Sequence, residues 1–151
     1  YRHWEGVFYP PDIKPEKYLE FYITKFQCVE LNSSFYNLPR ETTVAGWLNR
    51  TPSTFIFCPK LSRYITHQMQ LVNIDESLDK FFGVFKAMRE KLGPVLIQLP
   101  PGLHFDKTLI VNFLNLIKSR YSDYRLAVEI RNRTWINDDF FSATSAKIFK
   151  T

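Results

Sequence analysis

The chain has 151 residues, of which 45% are hydrophobic, 17% aromatic and 23% charged. That composition excludes a disordered polypeptide, and the length fits one domain while falling short of a complete (β/α)8 barrel, which takes about 250 residues. The net charge of +5 leans toward anionic partners only mildly, because the basic residues are scattered and the densest run, Lys86 to Lys91, is broken by apolar and acidic neighbours as on a solvated helix face.

In chain order, Pro15 to about Thr24 reads as a helix, with Pro15 in the first turn and Tyr18, Phe21 and Tyr22 on one face. Phe26 to Asn32 is short and β-prone and runs into Ser33-Ser34 and the aromatic pair Phe35-Tyr36, the pattern of a strand entering a loop. Thr42 to Asn49 forms a second helix, with Thr42 or Thr43 as N-cap and Thr51-Pro52-Ser53 as its stop. The next strand is Phe55 to Lys60, with Pro59 at its end because proline cannot donate to a ladder; a loop holding Ile65-Thr66-His67 follows. Asp75 to Leu92 is the longest helix, its apolar residues at three- and four-residue spacing, and Gly93-Pro94 ends it. Val95 to Leu99 is a strand closed by Pro100-Pro101-Gly102. A helix from Asp106 or Lys107 to about Arg120, a strand from Arg125 to Arg131 and a short helix near Asp138 complete the series. Four strands alternating with helices at roughly 30- to 40-residue spacing predict an α/β fold with a parallel sheet.

Cys28 and Cys58 each stand in a predicted strand, outside any C-x-x-C or Cys/His zinc spacing, so the expectation is a reduced, cytoplasmic protein. A bridge between them requires neighbouring strands. No apolar run approaches a membrane span, and the N-terminus lacks the form of a signal peptide. The opening on Tyr1 rather than Met fits a piece of something longer or a processed chain. His3 and His104 lack a partner at metal-ligand spacing, nucleotide-loop and serine-hydrolase motifs are missing, and the sequence names no metal ligand and no cofactor.

Strand parity carries the functional signal. Side chains alternate faces, so Cys28, Glu30 and Asn32 share one face, as do Ile56, Cys58 and Lys60, then Leu96 and Gln98, then Ala127, Glu129 and Arg131. Each strand thus ends in polar groups on one parity, while Val29, Leu31, Phe57, Ile97, Val128 and Ile130 take the other. Parallel strands buried on both faces normally read as unbroken apolar runs. Polar residues gathered at the C-terminal strand ends mark the mouth of an α/β site. The competing reading is an ion-pair network, Glu30 with Lys60 and Glu129 with Arg131 or Lys60, that closes the sheet without chemistry. His67 could serve as a general acid or base or as an anion donor, and Phe35-Tyr36 could stack on a ligand, although packing suits aromatics in so aromatic a chain.

At these residues the chain resembles the YecE-like family, a bacterial and archaeal domain-of-unknown-function family with a TIM-barrel fold. The matching stretches are Tyr1 to Pro10; Val29 to Tyr36; Phe57-Cys58-Pro59-Lys60 with Ile65-Thr66-His67; Leu92-Gly93-Pro94 with Gln98-Leu99-Pro100-Pro101; and Val128-Glu129-Ile130-Arg131 with Trp135. The resemblance carries over Glu30, Asn32, Ser34 and Tyr36 after one strand, Lys60 and His67 after the next, Gln98 after the third, and Glu129 and Arg131 on the fourth. It also implies that residues 1–151 form a single incomplete domain, a partial (β/α) TIM barrel comprising parallel strands two to five of eight with their helices. Two departures stand out: the Gly-Ser-Gly-Trp turn and strand expected before Tyr1 are missing, and Asn132-Arg133 replaces the usual His-Pro after the Glu-x-Arg strand.

The expected function is binding of a small polar or anionic ligand, phosphate- or sugar-containing, at the strand C-termini, with enzymatic turnover in a full-length form an open question. Lys60 and Arg131 would supply positive charge, Glu30 or Glu129 would accept a proton, and Gln98 and Asn32 would orient the ligand. The candidate catalytic residues are therefore Glu30, Lys60, His67 and Glu129, and the candidate ligand-binding residues Asn32, Ser34, Tyr36, Gln98 and Arg131. Two alternatives stand beside this one. The first is a non-catalytic truncated fragment or interaction module that needs a partner to complete the barrel, its open sheet edges also allowing self-association. The second is a nucleic-acid-binding or endonuclease-like barrel, whose affinity would fall steeply with salt.

Overall fold

A computed structural model describes residues 2–144 and 148–150. Tyr1, which opens the first matching stretch, lies outside them. The elements in order are α1 (Tyr18–Tyr22), β1 (Cys28–Leu31), α2 (Ser33–Tyr36), α3 (Glu41–Asn49), β2 (Ile56–Pro59), α4 (Asp75–Phe85), β3 (Val95–Gln98), α5 (Lys107–Arg120), β4 (Leu126–Glu129), α6 (Asp138–Thr144) and β5 (Ile148–Lys150). The fold is mixed α/β, and every strand pair in its two ladders is parallel. β1 pairs with β2, from Cys28 opposite Ile56 to Leu31 opposite Pro59. In the second ladder Val95 stands opposite Leu126 and Gln98 opposite Glu129, and β4 pairs with β5 on its other side.

Parity sorts burial as the sequence predicts. Leu31, Phe57, Val95, Ile97, Leu126 and Val128 are buried against helices whose inward residues include Leu78, Phe81, Phe82 and Phe85 of α4 and Ile110, Phe113 and Ile117 of α5. On the opposite parity Cys28 and Glu30 are exposed, and Ile56, Cys58, Leu96, Ala127 and Glu129 are half-buried. Cys28 and Cys58 lie on neighbouring strands but two positions out of register, and both thiols are free.

The two ladders are joined by single bridges, Phe57 to Leu92 and Lys60 to Leu96, with the Gly93 N–H donating to the Phe57 carbonyl at 2.8 Å and the Leu61 N–H to that of Leu96 at 2.8 Å. Gly93 is required there by space. A Cβ at this position would lie 2.5 Å from Cys58 Sγ and 2.7 Å from Ile56 Cγ2.

Several local expectations are corrected. The second helix begins at Glu41 with Arg40 as N-cap and no side-chain cap bond, so neither Thr42 nor Thr43 caps it; the extended Arg40 after Pro39 already starts the turn. Its C-terminal end is instead held by Lys91, whose ammonium donates to the Leu48 and Thr51 carbonyls at 3.0 and 2.7 Å. Arg50 donates to both carboxylate oxygens of Glu20, at 3.0 and 2.7 Å, which ties α3 to α1 and holds the Glu20 carboxyl down at about 2. The long helix keeps α geometry only to Phe85 and tightens to a 3-10 turn over Lys86–Lys91; three-residue turns keep Phe85 and Met88, both fully buried, in line. The stretch after Tyr36 aside, two supposed loops are helical: Ser33–Tyr36 is one α-turn and Tyr64–Gln68 one π-turn. A fifth parallel strand, Ile148–Lys150, adds to the four expected. α5 begins at Lys107, and Asp106 caps it, accepting from the Leu109 N–H at 2.9 Å.

Gly93→Ala is expected to lower stability by about 1–3 kcal/mol through overpacking against Cys58 and Ile56, whereas Gly102→Ala, with open space around its Cβ, should change it by less than about 0.5 kcal/mol. Urea unfolding of the two variants beside the parent checks both values.

Candidate functional site

The C-terminal ends of β2, β3 and β4 bring one group of the predicted residues together. β2 runs into Lys60, β3 ends at Gln98 and β4 at Glu129, with Arg131 two residues on. The Gln98 side-chain amide donates to one Glu129 oxygen at 2.5 Å and the Arg131 Nε to the other at 2.7 Å. Burial alone would raise the Glu129 carboxyl, but the bonds from Gln98 and Arg131 and the charges of Arg131 and Lys60 outweigh it and hold the group below the usual carboxylate range. Glu129 is thus an ionised carboxylate at neutral pH, with both oxygens engaged.

Lys60 is different. Its side chain is only 9% exposed, and its ammonium lies 5.0 Å from the centre of the Phe35 ring. Among the described residues no carboxylate lies within salt-bridge distance of it. The expected Glu30–Lys60 pair is therefore not made, while the Glu129–Arg131 pair is. The aliphatic stem is what burial covers; the ammonium at its tip is left without an anionic partner but is not a sealed, unsatisfied group, the usual arrangement of a long cationic side chain.

His67 joins this group through the π-turn. Its ring packs edge-on to Phe35 with centroids 5.1 Å apart, and its Nδ1 lies 2.8 Å from the hydroxyl of Thr66. Burial and then the charges of Arg63, Lys60 and Arg131 push the imidazole below its ordinary value. Arg63 and Thr66 are the members to which sequence reading gives no role, and Phe35, weighed there as a stacking or packing ring, packs against Lys60 and His67. Arg63 and His67 are four residues apart, which signals a shared face only once the segment is known to be helical.

The remaining candidates stand elsewhere. Glu30 and Asn32 border a groove of about 470 Å³ beside β1, with Trp4, Tyr9, Tyr22 and Trp47 among its walls. The Ser34 hydroxyl is engaged by backbone: it lies 2.7 Å from both the Leu31 and Lys60 carbonyls and accepts from the Lys60 N–H at 3.0 Å. It joins the ends of β1 and β2 rather than facing a ligand. Tyr36 is 70% exposed, edge-on to Phe35. Asn132 is structural too: its amide donates to the Pro101 carbonyl at 2.7 Å, and its oxygen accepts from the Thr134 N–H at 3.0 Å and the Thr134 hydroxyl at 2.8 Å. These bonds couple the loops leaving β3 and β4. Trp135 is fully buried and donates to the Leu103 carbonyl at 2.7 Å.

No group of three or more His, Cys, Asp or Glu among the described residues could hold a metal ion. No helix among them is long and apolar enough to cross a membrane.

Comparison with known proteins gives these residues a context. UPF0759 protein YunF of Bacillus subtilis (strain 168) is 33% identical over 143 residues, which cover 90% of this chain and 50% of YunF. UPF0759 protein YecE of Escherichia coli (strain K12) is 29% identical over 114 residues, covering 76% of this chain and 41% of YecE. This chain thus spans half or less of these two relatives. Among solved structures, a DUF72 family protein of Thermotoga maritima MSB8 superposes with a TM-score of 0.80 at 28% identity, covering 95% of this chain and 56% of that one. A DUF72 family protein of Enterococcus faecalis V583, at 23% identity and a TM-score of 0.71, shares the fold over 86% of this chain and 54% of its own length. The family model described as "Protein of unknown function DUF72" matches residues 1–149, and the chain belongs to that family.

Proposed function

We propose that this chain binds a small anionic ligand, phosphate- or sugar-phosphate-containing, at the C-terminal ends of its strands, which are consecutive strands of a (β/α) barrel. The observation that carries the reading is Lys60, whose stem is buried, whose ammonium rests on the Phe35 ring and which has no carboxylate at salt-bridge distance among the described residues. Its three N–H donors are available to acceptor oxygens, and an oxyanion supplies them. Arg131 adds charge, although its Nε is already committed to Glu129. Gln98 acts through Glu129, whose carboxylate it helps to hold ionised. Of the two glutamates, Glu129 is the one beside this site, but with both oxygens engaged it is a weakened base, while Glu30 borders the separate groove along β1.

A second reading has its own support. The groove along β1 is walled mostly by aromatic and aliphatic side chains, with Glu30 and Asn32 among them, and a strand edge that pairs with no other strand among the described residues suits strand addition by a second copy. Self-association through that edge is compatible with ligand binding at the strand ends.

Lys60→Met is expected to weaken binding of inorganic phosphate by roughly 1.5–3 kcal/mol, the usual value of a hydrogen bond to a charged group, as read by titration calorimetry of the full chain; unchanged affinity would sink the anion reading. Because Glu129 has a depressed folded pKa, its stabilising contribution is present above the ordinary carboxylate value and is lost as pH falls through the folded one. Unfolding midpoints should therefore drop less steeply in acid for Glu129→Gln than for the parent. Sedimentation velocity over a range of concentrations should show reversible dimers, and a monomer throughout would remove the strand-addition reading.

A further inference from the structure

The Thr66 hydroxyl has one proton and two close neighbours. It lies 3.2 Å from the Ser62 carbonyl and 2.8 Å from His67 Nδ1, and Thr66 is fully buried. Both contacts can be hydrogen bonds only if the hydroxyl donates to Ser62 and the imidazole donates to the hydroxyl. The alternative, in which the hydroxyl donates to Nδ1, makes one bond in place of two.

The tautomer fixes what the ring presents at its other nitrogen. A neutral imidazole protonated on Nδ1 carries its lone pair on Nε2, and one protonated on Nε2 presents an N–H there. Arg63 on the same π-turn, Lys60 at the end of β2 and Arg131 beyond β4 all act on this ring as positive charges. The same cations and partial burial keep the ring neutral, so the tautomer matters at physiological pH.

We propose that Thr66 is a positioning residue that holds His67 protonated on Nδ1, so that Nε2 accepts a hydrogen bond from an anion that itself carries an O–H. This rests on the anion-site reading above and narrows its ligand class. Lys60 answers the charge of an oxyanion, and Nε2 answers a proton on it. A hydrogen phosphate, a phosphate monoester in its protonated form or a hydroxyl beside an anionic group satisfies both; a fully deprotonated oxyanion such as sulfate satisfies only the first. At mildly alkaline pH hydrogen phosphate and sulfate carry equal charge, so the pair isolates the acceptor.

The test has two readouts on the full chain. Nitrogen-15 NMR of the His67 ring should show a protonated Nδ1 and a bare Nε2 in the parent and in Thr66→Ser, and a shift toward the Nε2-protonated form in Thr66→Val. A parent ring protonated on Nε2, or a Thr66→Val ring identical to the parent, overturns the proposal. In parallel titrations the parent should bind phosphate more tightly than sulfate by about tenfold, the worth of one hydrogen bond to a charged group. Thr66→Val should lose that preference, and Thr66→Ser should restore it. Equal affinities in the parent overturn the acceptor role while leaving the anion site intact. Binding of neither anion overturns the site itself, whereas the ring tautomer still decides the role of Thr66.

Discussion

The close approach at Gly93 decides whether this chain has one surface or two. β1 and β2 form one ladder and β3 to β5 another, and between them stand two bridges rather than a continuous run of paired residues. The Gly93 backbone enters the space between the Cys58 and Ile56 side chains and donates to Phe57, and that contact sets the height of β3 against β2. With it, Lys60 is level with Leu96, and Gln98 and Glu129 stand one inward-facing layer further on. The relative placement of the strand ends thus rests in part on a missing methyl group at a position that carries no charge.

At those ends, two acidic and basic groups of similar type meet different fates. Glu129 has its neutraliser two residues along its own chain and an amide opposite it on the neighbouring strand, so it is satisfied within the protein. Lys60 has an aromatic ring, a hydroxyl-clamped backbone and a neutral imidazole for neighbours. A cation on a ring face gains part of what it lost on leaving water, but no hydrogen bond. Neighbouring charges are thus unequally satisfied: Glu129 sits in an internal network, and Lys60 pairs with no carboxylate among the described residues.

Much of the framework could be read from the residues alone. Strand positions, the buried parity and the start of α5 near Asp106 or Lys107 follow from short-range rules, and the structure agrees on each. The polar ends of β2, β3 and β4 converge as parity implies. Glu30 and Asn32 sit apart because β1 is the edge strand, and strand order is not encoded in alternation. Ser34 was indistinguishable from a ligand-binding serine, since its partners are carbonyls 3 and 26 residues away. The π-turn at Tyr64–Gln68 had no local signal either: its apolar Ile65 is held by the core, and only that tertiary contact aligns Arg63, Thr66 and His67. The 3-10 tightening after Phe85 likewise reflects the demand for Met88 in the core and for Lys91 at the end of α3.

The two thiols illustrate how the same seam divides chemical reactivity. Burial, then the nearby Cys28 and Glu30, push the Cys58 thiol up, and its sulfur faces the backbone of Gly93, so it is a poor nucleophile in a closed space. Cys28 is exposed on the strand whose outer side borders the apolar groove. The chain therefore carries one addressable sulfur, and a fluorophore or spin label attached there would report directly on whatever occupies the edge of β1.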